Sequence, residues 1–79
     1  MLKLEGYNLS RTEWEHLIDE YIFSERDRAI VKRRLLDGVR FEPLAEEFEL
    51  SVQHTHTIVD SSKNKLRRAL SAMQKNSNF

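Results

Sequence analysis

Residues 41–66, with the sequence FEPLAEEFELSVQHTHTIVDSSKNKL, decide how the rest of the chain is arranged. The apolar positions in the first half of this stretch are spaced by three or four residues, which is typical of an amphipathic helix: Phe41, Leu44, Ala45 and Phe48. Ser51 then provides a new helix-start signal. The stretch therefore predicts a short helix over residues 41–48, a tight turn and a second, longer helix.

The second helix is predicted over residues 52–73, with one apolar and one polar face. The inward stripe consists of Val52, Thr55, Val59, Ser62, Leu66, Ala69 and Met73. The opposite face carries side chains that donate and accept hydrogen bonds: Gln53, Thr57, Asp60, Ser61, Asn64 and Arg68. Such a face suits base edges in a DNA major groove. Helices joined by a short turn also occur in bundles that do not bind nucleic acid, so this alternative stays open.

The formal net charge is zero, from thirteen basic and thirteen acidic residues, but the charges are unevenly distributed. Residues 1–31 hold four basic and seven acidic groups, a balance of −3, and residues 32–50 hold four and five, a balance of −1. Residues 51–79 hold five and one, a balance of +4, so the positive end coincides with the second helix. This polarity predicts a basic side facing phosphate, and the zero total predicts weak binding at physiological salt.

Two further helices are predicted before this stretch. Ser10 and Glu13 form a capping-box signature for a helix over residues 11–22, and Ser24 opens a helix over residues 25–37 that ends before Gly38. Arg33 and Arg34 near its end are interpreted as solvated side chains, and phosphate contact by these two residues is the alternative. The prediction is an all-α, four-helix domain over residues 10–73, between an irregular arm over residues 1–9 and a flexible tail over residues 74–79.

Three residues carry specific structural expectations. Trp14 and Phe48 are expected to be buried core aromatics because each lies on an apolar stripe. Glu49 stands in the turn where a helix-turn-helix favours glycine or asparagine in a left-handed conformation. The turn is therefore expected to be strained by about 1 kcal/mol.

The sequence offers little for catalysis or metal binding. There is no cysteine, and His54 and His56 are two residues apart, a spacing that does not place both on one ion. Ser51, His54 and Asp60 are residue types of a hydrolase triad, but Ser51 is needed as a helix cap. We expect a cytoplasmic protein that is not an enzyme, has no cofactor and does not associate with a membrane.

Three motifs together resemble region four of bacterial RNA polymerase sigma factors, the helix-turn-helix module that reads the upstream promoter element. The motifs are FSERDRAIVKRRLLDG at residues 23–38, FEPLAEEFELSV at residues 41–52 and KNKLRRAL at residues 63–70. The sequence departs from the family pattern at Glu49, at Thr55 in place of an aliphatic residue, and at Gln53, His54 and His56 in place of basic residues. Seventy-nine residues leave no room for the other segments of a sigma factor, so the resemblance implies a stand-alone regulator of the kind found in phages and mobile elements.

These observations assign residues to the predicted DNA interface. Base-reading residues are Gln53, His54, His56, Thr57 and Ser61. Phosphate-contacting residues are Arg40, Lys63, Lys65, Arg67 and Arg68. The expected partner is double-stranded DNA, and the resemblance adds RNA polymerase core as a second partner. The competing hypothesis is a helical protein-interaction module, in which the C-terminal helix forms a homodimer seam or docks on polymerase without reading bases. The residues that would form this seam are Leu66, Ala69, Leu70 and Met73.

Overall fold

A computed structural model of the chain describes the backbone of residues 8–76 and the side chains of residues 8–73. Four helices make up most of this part and no strand occurs in it: α1 (Arg11–Tyr21), α2 (Glu25–Leu35), α3 (Phe41–Glu47) and α4 (Val52–Asn76). The prediction of an all-α, four-helix domain is confirmed. The predicted arm lies outside the described residues up to position 7, as does the predicted tail beyond position 76.

Local hydrogen bonds fix where three of the helices begin. The hydroxyl oxygen of Ser10 accepts a bond from the amide of Glu13, while the Glu13 carboxylate accepts one from the Ser10 amide, which completes the predicted capping box. Ser24 caps α2 by accepting a bond from the amide of Asp27. Ser51 does the same for α4, through the amide of His54 at 3.0 Å. All four helices start at the predicted residues.

The helix ends differ from the predicted ones by one to three residues. α1 and α3 each end one residue early, and the segment after Leu35 becomes a turn that leads to Gly38, whose φ is 70°. α4 continues to Asn76, beyond the predicted end at Met73. The end of a helix depends on where the chain must turn in order to pack. Local sequence signals specify this position less strictly than an N-cap residue specifies a helix start.

The core consists of two clusters that share α4 as their common wall. The first joins α1, α2 and the second half of α4, and is formed by Trp14, Leu17, Ile18, Ile22, Val31, Leu35, Leu66, Ala69 and Leu70. The second joins α2, α3 and the first half of α4, and is formed by Ile30, Leu44, Ile58 and Val59. α1 therefore covers the apolar face of α4 beyond the part that α3 covers, which allows α4 to be 25 residues long.

Three burial predictions are wrong. Val52 and Met73, both assigned to the inward stripe, are 38% and 51% exposed, since they lie at the two ends of the face that the other helices cover. Phe48 is half-buried because it caps α3 and packs at the edge of the second cluster. Ile58, missing from the predicted stripe, is buried, and Trp14 is buried as predicted, with 1% of its surface exposed.

Ion pairs connect the first three helices across the surface. Lys32 of α2 lies 2.7 Å from the Asp19 carboxylate of α1, and Arg33 lies 2.7 Å from the Glu47 carboxylate of α3. Arg11 bonds Asp37 at 2.8 Å beyond the end of α2, and this hydrogen bond raises the pKa of Arg11. Arg33 was interpreted as a solvated side chain, but its guanidinium is committed to Glu47.

Candidate nucleic-acid interface

The turn between α3 and α4 has the hydrogen bonds of a Schellman motif. The amide of Leu50 donates to the carbonyl of Ala45 at 2.9 Å, and the amide of Glu49 donates to the carbonyl of Glu46 at 3.2 Å. Glu49 has a φ of 57°, the left-handed conformation that glycine usually supplies at this position. The predicted left-handed turn at Glu49 is confirmed, and it directs the chain into α4.

The first turn of α4 is held by polar bonds and by packing. Thr55 is completely buried, and its hydroxyl donates to the carbonyl of Ser51 at 2.9 Å. This bond satisfies the hydroxyl inside the helix, so threonine fits a core position that an aliphatic residue would otherwise occupy. Thr55 therefore faces the core, and the opposite face of the first turns of α4 is exposed.

The five residues predicted to read bases are all exposed on α4, but they do not form one strip. Gln53, Thr57 and Ser61 follow one another at intervals of four residues along the middle of the exposed face. His54 and His56 lie on opposite flanks of that strip, about 160° apart around the helix axis at 3.6 residues per turn. The three residues of the central strip face the same direction, and the two imidazoles lie on either side of the strip.

The hydroxyl of Thr57 is already engaged within the helix. It donates a hydrogen bond to the carbonyl of Gln53 at 3.1 Å. A threonine hydroxyl has one donor and two acceptor lone pairs, so Thr57 presents an acceptor and a methyl group outward. Gln53 has its side-chain amide exposed and can offer both a donor and an acceptor.

His56 stacks on Phe41, the first residue of α3. The two ring centroids are 3.5 Å apart and the planes are inclined by 22°. The guanidinium carbon of Arg34 lies 4.2 Å from the centroid of the same phenyl ring. The interpretation of Arg34 as a solvated side chain is therefore wrong, because its guanidinium covers an aromatic ring and its side chain is half-buried.

The basic residues predicted to contact phosphate lie on both sides of α4 and at the start of α3. Lys65 and Arg68 are exposed, while Lys63 and Arg67 are half-buried. Arg67 donates to the side-chain oxygen of Asn64 at 2.9 Å. Arg40 is exposed at the N-cap of α3, where its side chain makes no capping bond.

Distance along α4 separates the first base-reading residues, Gln53 to Thr57, from the phosphate-contacting residues of the same helix, whereas Ser61 lies only two residues before Lys63. Lys63 follows Gln53 by ten residues, which is about 15 Å at 1.5 Å per residue. A major groove is about 12 Å wide, so a groove that receives the start of α4 leaves Lys63 and the residues after it near its edge. The spacing fits a division between base-reading and phosphate-contacting residues.

Outside this face, an apolar groove lies between α1 and the C-terminal half of α4. Its cavity volume is about 250 Å³. Its lining residues are Leu9, Glu13, His16, Leu17, Glu20, Leu70 and Met73. The sequence indicated Leu70 and Met73 as an interaction seam, but the groove depends on α1, whose docking position no periodicity reveals. The sequence likewise did not indicate that Arg34 and Phe41 are neighbours of His56, because these contacts depend on how α2 and α3 pack against α4.

No group of three or more histidine, cysteine, aspartate or glutamate side chains in the described part of the chain is arranged to hold a metal ion. None of the helices found among residues 8–76 combines the length and the apolar character that crossing a membrane requires.

Comparison with known proteins adds no relative. No family model, no curated protein and no solved structure matches this chain. The candidate site therefore rests on its own geometry.

Proposed function

We propose that the protein is a sequence-specific DNA-binding regulator, similar to region four of sigma factors, that inserts the start of α4 into a major groove. The observation that carries the proposal is the exposed strip of Gln53, Thr57 and Ser61, which begins at a helix start fixed by the turn at Glu49. Glutamine pairs in bidentate fashion with adenine, and helix starts are the usual base-reading parts of helix-turn-helix proteins.

Charge supports this orientation of the molecule. α4 contains Asp60 against five basic residues, Lys63, Lys65, Arg67, Arg68 and Lys75, a balance of +4. α1 contains one basic and four acidic residues, a balance of −3. Phosphate attracts α4 and repels α1, so electrostatics orient the protein before any base is read. The zero total charge implies that a second contact, through RNA polymerase core or dimerisation, strengthens binding at physiological salt.

The experiment that tests the proposal is selection of duplexes from a random library by the purified protein, followed by titration. The selected duplex and a scrambled duplex of equal length and composition are titrated at several salt concentrations. We expect at least about fivefold tighter binding of the selected duplex, because each good bidentate pair contributes about 1–3 kcal/mol of discrimination. Equal affinity for both duplexes would contradict sequence-specific reading.

A second candidate function is a protein-interaction module, and the groove between α1 and α4 is the observation that favours it. Met73 is 51% exposed beside the buried Leu70, so the groove presents apolar surface at the end of α4. In this alternative, Met73→Glu abolishes homodimerisation or polymerase binding, whereas Gln53→Ala has no effect on function. Light scattering of the parent and of Met73→Glu, over a range of protein concentrations, distinguishes a groove-mediated dimer from a monomer.

A further inference from the structure

The side chains of Arg34, Phe41 and His56 form one stack that connects α2, α3 and α4. The imidazole lies 3.5 Å from the phenyl centroid and the guanidinium carbon lies 4.2 Å from it. Both distances are close to van der Waals contact, so two groups of that size cannot share one face of the ring. The phenyl ring of Phe41 therefore lies between the other two groups.

The inner part of the stack is held in place by its surroundings. The Arg34 guanidinium donates a hydrogen bond to the carbonyl of Val39 at 3.1 Å, in the segment between α2 and α3. Phe41 is half-buried and packs against the second core cluster. The ring on which His56 rests is consequently fixed from the core side and from the opposite face.

His56 is the exposed outer member of the stack. Face-to-face stacking fixes the plane of an imidazole but leaves its two nitrogens at the ring edge, where they form in-plane hydrogen bonds. No sequence period connects His56 with Arg34, and the core packing does not require a histidine at an exposed position. A hydrogen-bonding ring stacked beside the Gln53 strip is a feature that a purely structural contact does not need.

We propose that Arg34 and Phe41 are positioning residues that hold the His56 imidazole ready to donate a hydrogen bond to an acceptor on DNA. The inference rests on the proposed function and deepens it. The acceptor is either a purine base edge or a phosphate oxygen, both of which accept a bond from an imidazole N–H. Binding then requires little loss of side-chain freedom at His56, and an immobilised side chain otherwise costs about 0.5–1.5 kcal/mol, or roughly 2- to 12-fold in Kd.

A double-mutant cycle on DNA binding tests this coupling. The variants are Phe41→Leu, which keeps an apolar group but removes the stack, His56→Ala, and the two combined. We expect Phe41→Leu to weaken binding of the selected duplex by roughly 2- to 12-fold in the parent and by less than about twofold in the His56→Ala background. An equal loss in both backgrounds, or no loss in the parent, overturns the inference.

His56→Phe provides a second measurement that does not disturb the packing of Phe41. It retains an aromatic stack and removes both ring nitrogens, so we expect it to bind DNA as weakly as His56→Ala. If the stack only stabilises the junction of the helices, His56→Phe binds like the parent, and the inference is overturned. A loss confined to the selected duplex indicates a base edge as the acceptor, and an equal loss on the scrambled duplex indicates phosphate.

The outcomes separate this inference from the proposed function. If Gln53→Ala weakens binding to the selected duplex while the cycle is additive, the positioning role fails and sequence-specific binding stands. If the parent protein does not distinguish the two duplexes, both fail. Arg26→Gln is a control outside the stack, because Arg26 pairs with Asp27 at the start of α2. The cycle of Phe41→Leu and His56→Ala should give the same coupling in this background.

Discussion

The hydroxyl of Thr57 donates a hydrogen bond to the main-chain carbonyl of Gln53, one turn earlier in α4, at 3.1 Å. The two residues are neighbours on the exposed strip, yet the bond gives them different chemistry. Thr57 has used its only donor, whereas the side-chain amide of Gln53 faces solvent with both functions available. They therefore differ in what they offer to a base edge.

This difference leads to a prediction about base reading. We expect Gln53→Ala to weaken binding to the selected duplex by about 1–3 kcal/mol and to relax the choice at one base pair. Thr57→Val keeps the methyl group and removes only the outward acceptor, so we expect it to weaken binding less than Gln53→Ala. Fluorescence anisotropy with duplexes substituted at each position measures both effects. A greater loss in Thr57→Val than in Gln53→Ala would show that Thr57 is the principal reader.

A separate prediction concerns phosphate contact. Lys65→Ala should weaken binding to selected and scrambled duplexes about equally, and should reduce the slope of log K against log salt by roughly one. Arg26→Gln removes the same charge from the start of α2 and should leave the slope unchanged. The measurement is titration of both duplexes at four or more salt concentrations. Equal slopes of log K against log salt for the parent and Lys65→Ala would show that this lysine does not contact phosphate.

The sequence predicted helix starts more accurately than helix ends, for a physical reason. Ser10 and Ser24 form cap bonds with residues three positions later, so the signal and the structure that it forms are both local. The end of α2 instead depends on the turn into Gly38, where the chain reverses to bring α3 against α4. Met73 was assigned to the core because helical period alone does not indicate where α1 ceases to cover α4.

The candidate site was partly predictable for the same reason. Gln53 and Thr57 were identified as exposed because they lie opposite the apolar stripe on one helix, and a single helix carries its own period. The stack of Arg34, Phe41 and His56 involves three helices, and its members are 7 and 15 residues apart along the chain. Contacts of that kind arise from packing and leave no periodic signal in the sequence.

Two apolar residues of α4 provide a test of the core. Leu66 is fully buried and Met73 is 51% exposed, although both were assigned to the inward stripe. We expect Leu66→Ala to lower the free energy of unfolding by about 2–5 kcal/mol, because it leaves a cavity where α1, α2 and α4 meet. Met73→Ala should change it by less than about 0.5 kcal/mol. Urea denaturation of both variants measures the difference, and similar losses would contradict the burial of Leu66 relative to Met73.

Replacement by glycine should have opposite effects on stability in the turn at Glu49 and inside the neighbouring helix α3. Glu49 has a φ of 57°, so Glu49→Gly should relieve strain and stabilise the protein by up to about 1 kcal/mol. Glu46 is an exposed residue inside α3, and there the same change should destabilise by about 1 kcal/mol, because glycine is a poor helix former. Thermal melting of the two variants compares the signs directly. A Glu49→Gly variant that melts below the parent would show that the glutamate side chain contributes more than the strain costs.

The ion pair between α1 and α2 makes part of the stability depend on pH. The hydrogen bond from Lys32 to Asp19, at 2.7 Å, is the main cause that lowers the pKa of Asp19, and Arg28 at 4.0 Å adds to it. A carboxylate whose pKa is lower in the folded state stabilises the fold above its unfolded pKa of about 3.9. That contribution is lost as the pH falls from this value through the lower pKa of the folded state. The effect is small, because the Asp19 side chain is 54% exposed and solvent screens the pair.

Asp19→Asn should therefore melt below the parent at pH 7, and the difference in Tm should shrink as the pH falls below about 4. Glu20→Gln is the matched control, since it removes a neighbouring carboxylate for which the described residues show no ion pair. The Tm difference between Glu20→Gln and the parent should not follow the same course. Thermal melting by circular dichroism at intervals from pH 7 to about pH 2.5 follows the loss of this contribution below the unfolded pKa of Asp19. A Tm difference for Asp19→Asn that is constant over this range would mean that asparagine disturbs packing at the end of α1, and that the charge on Asp19 contributes nothing.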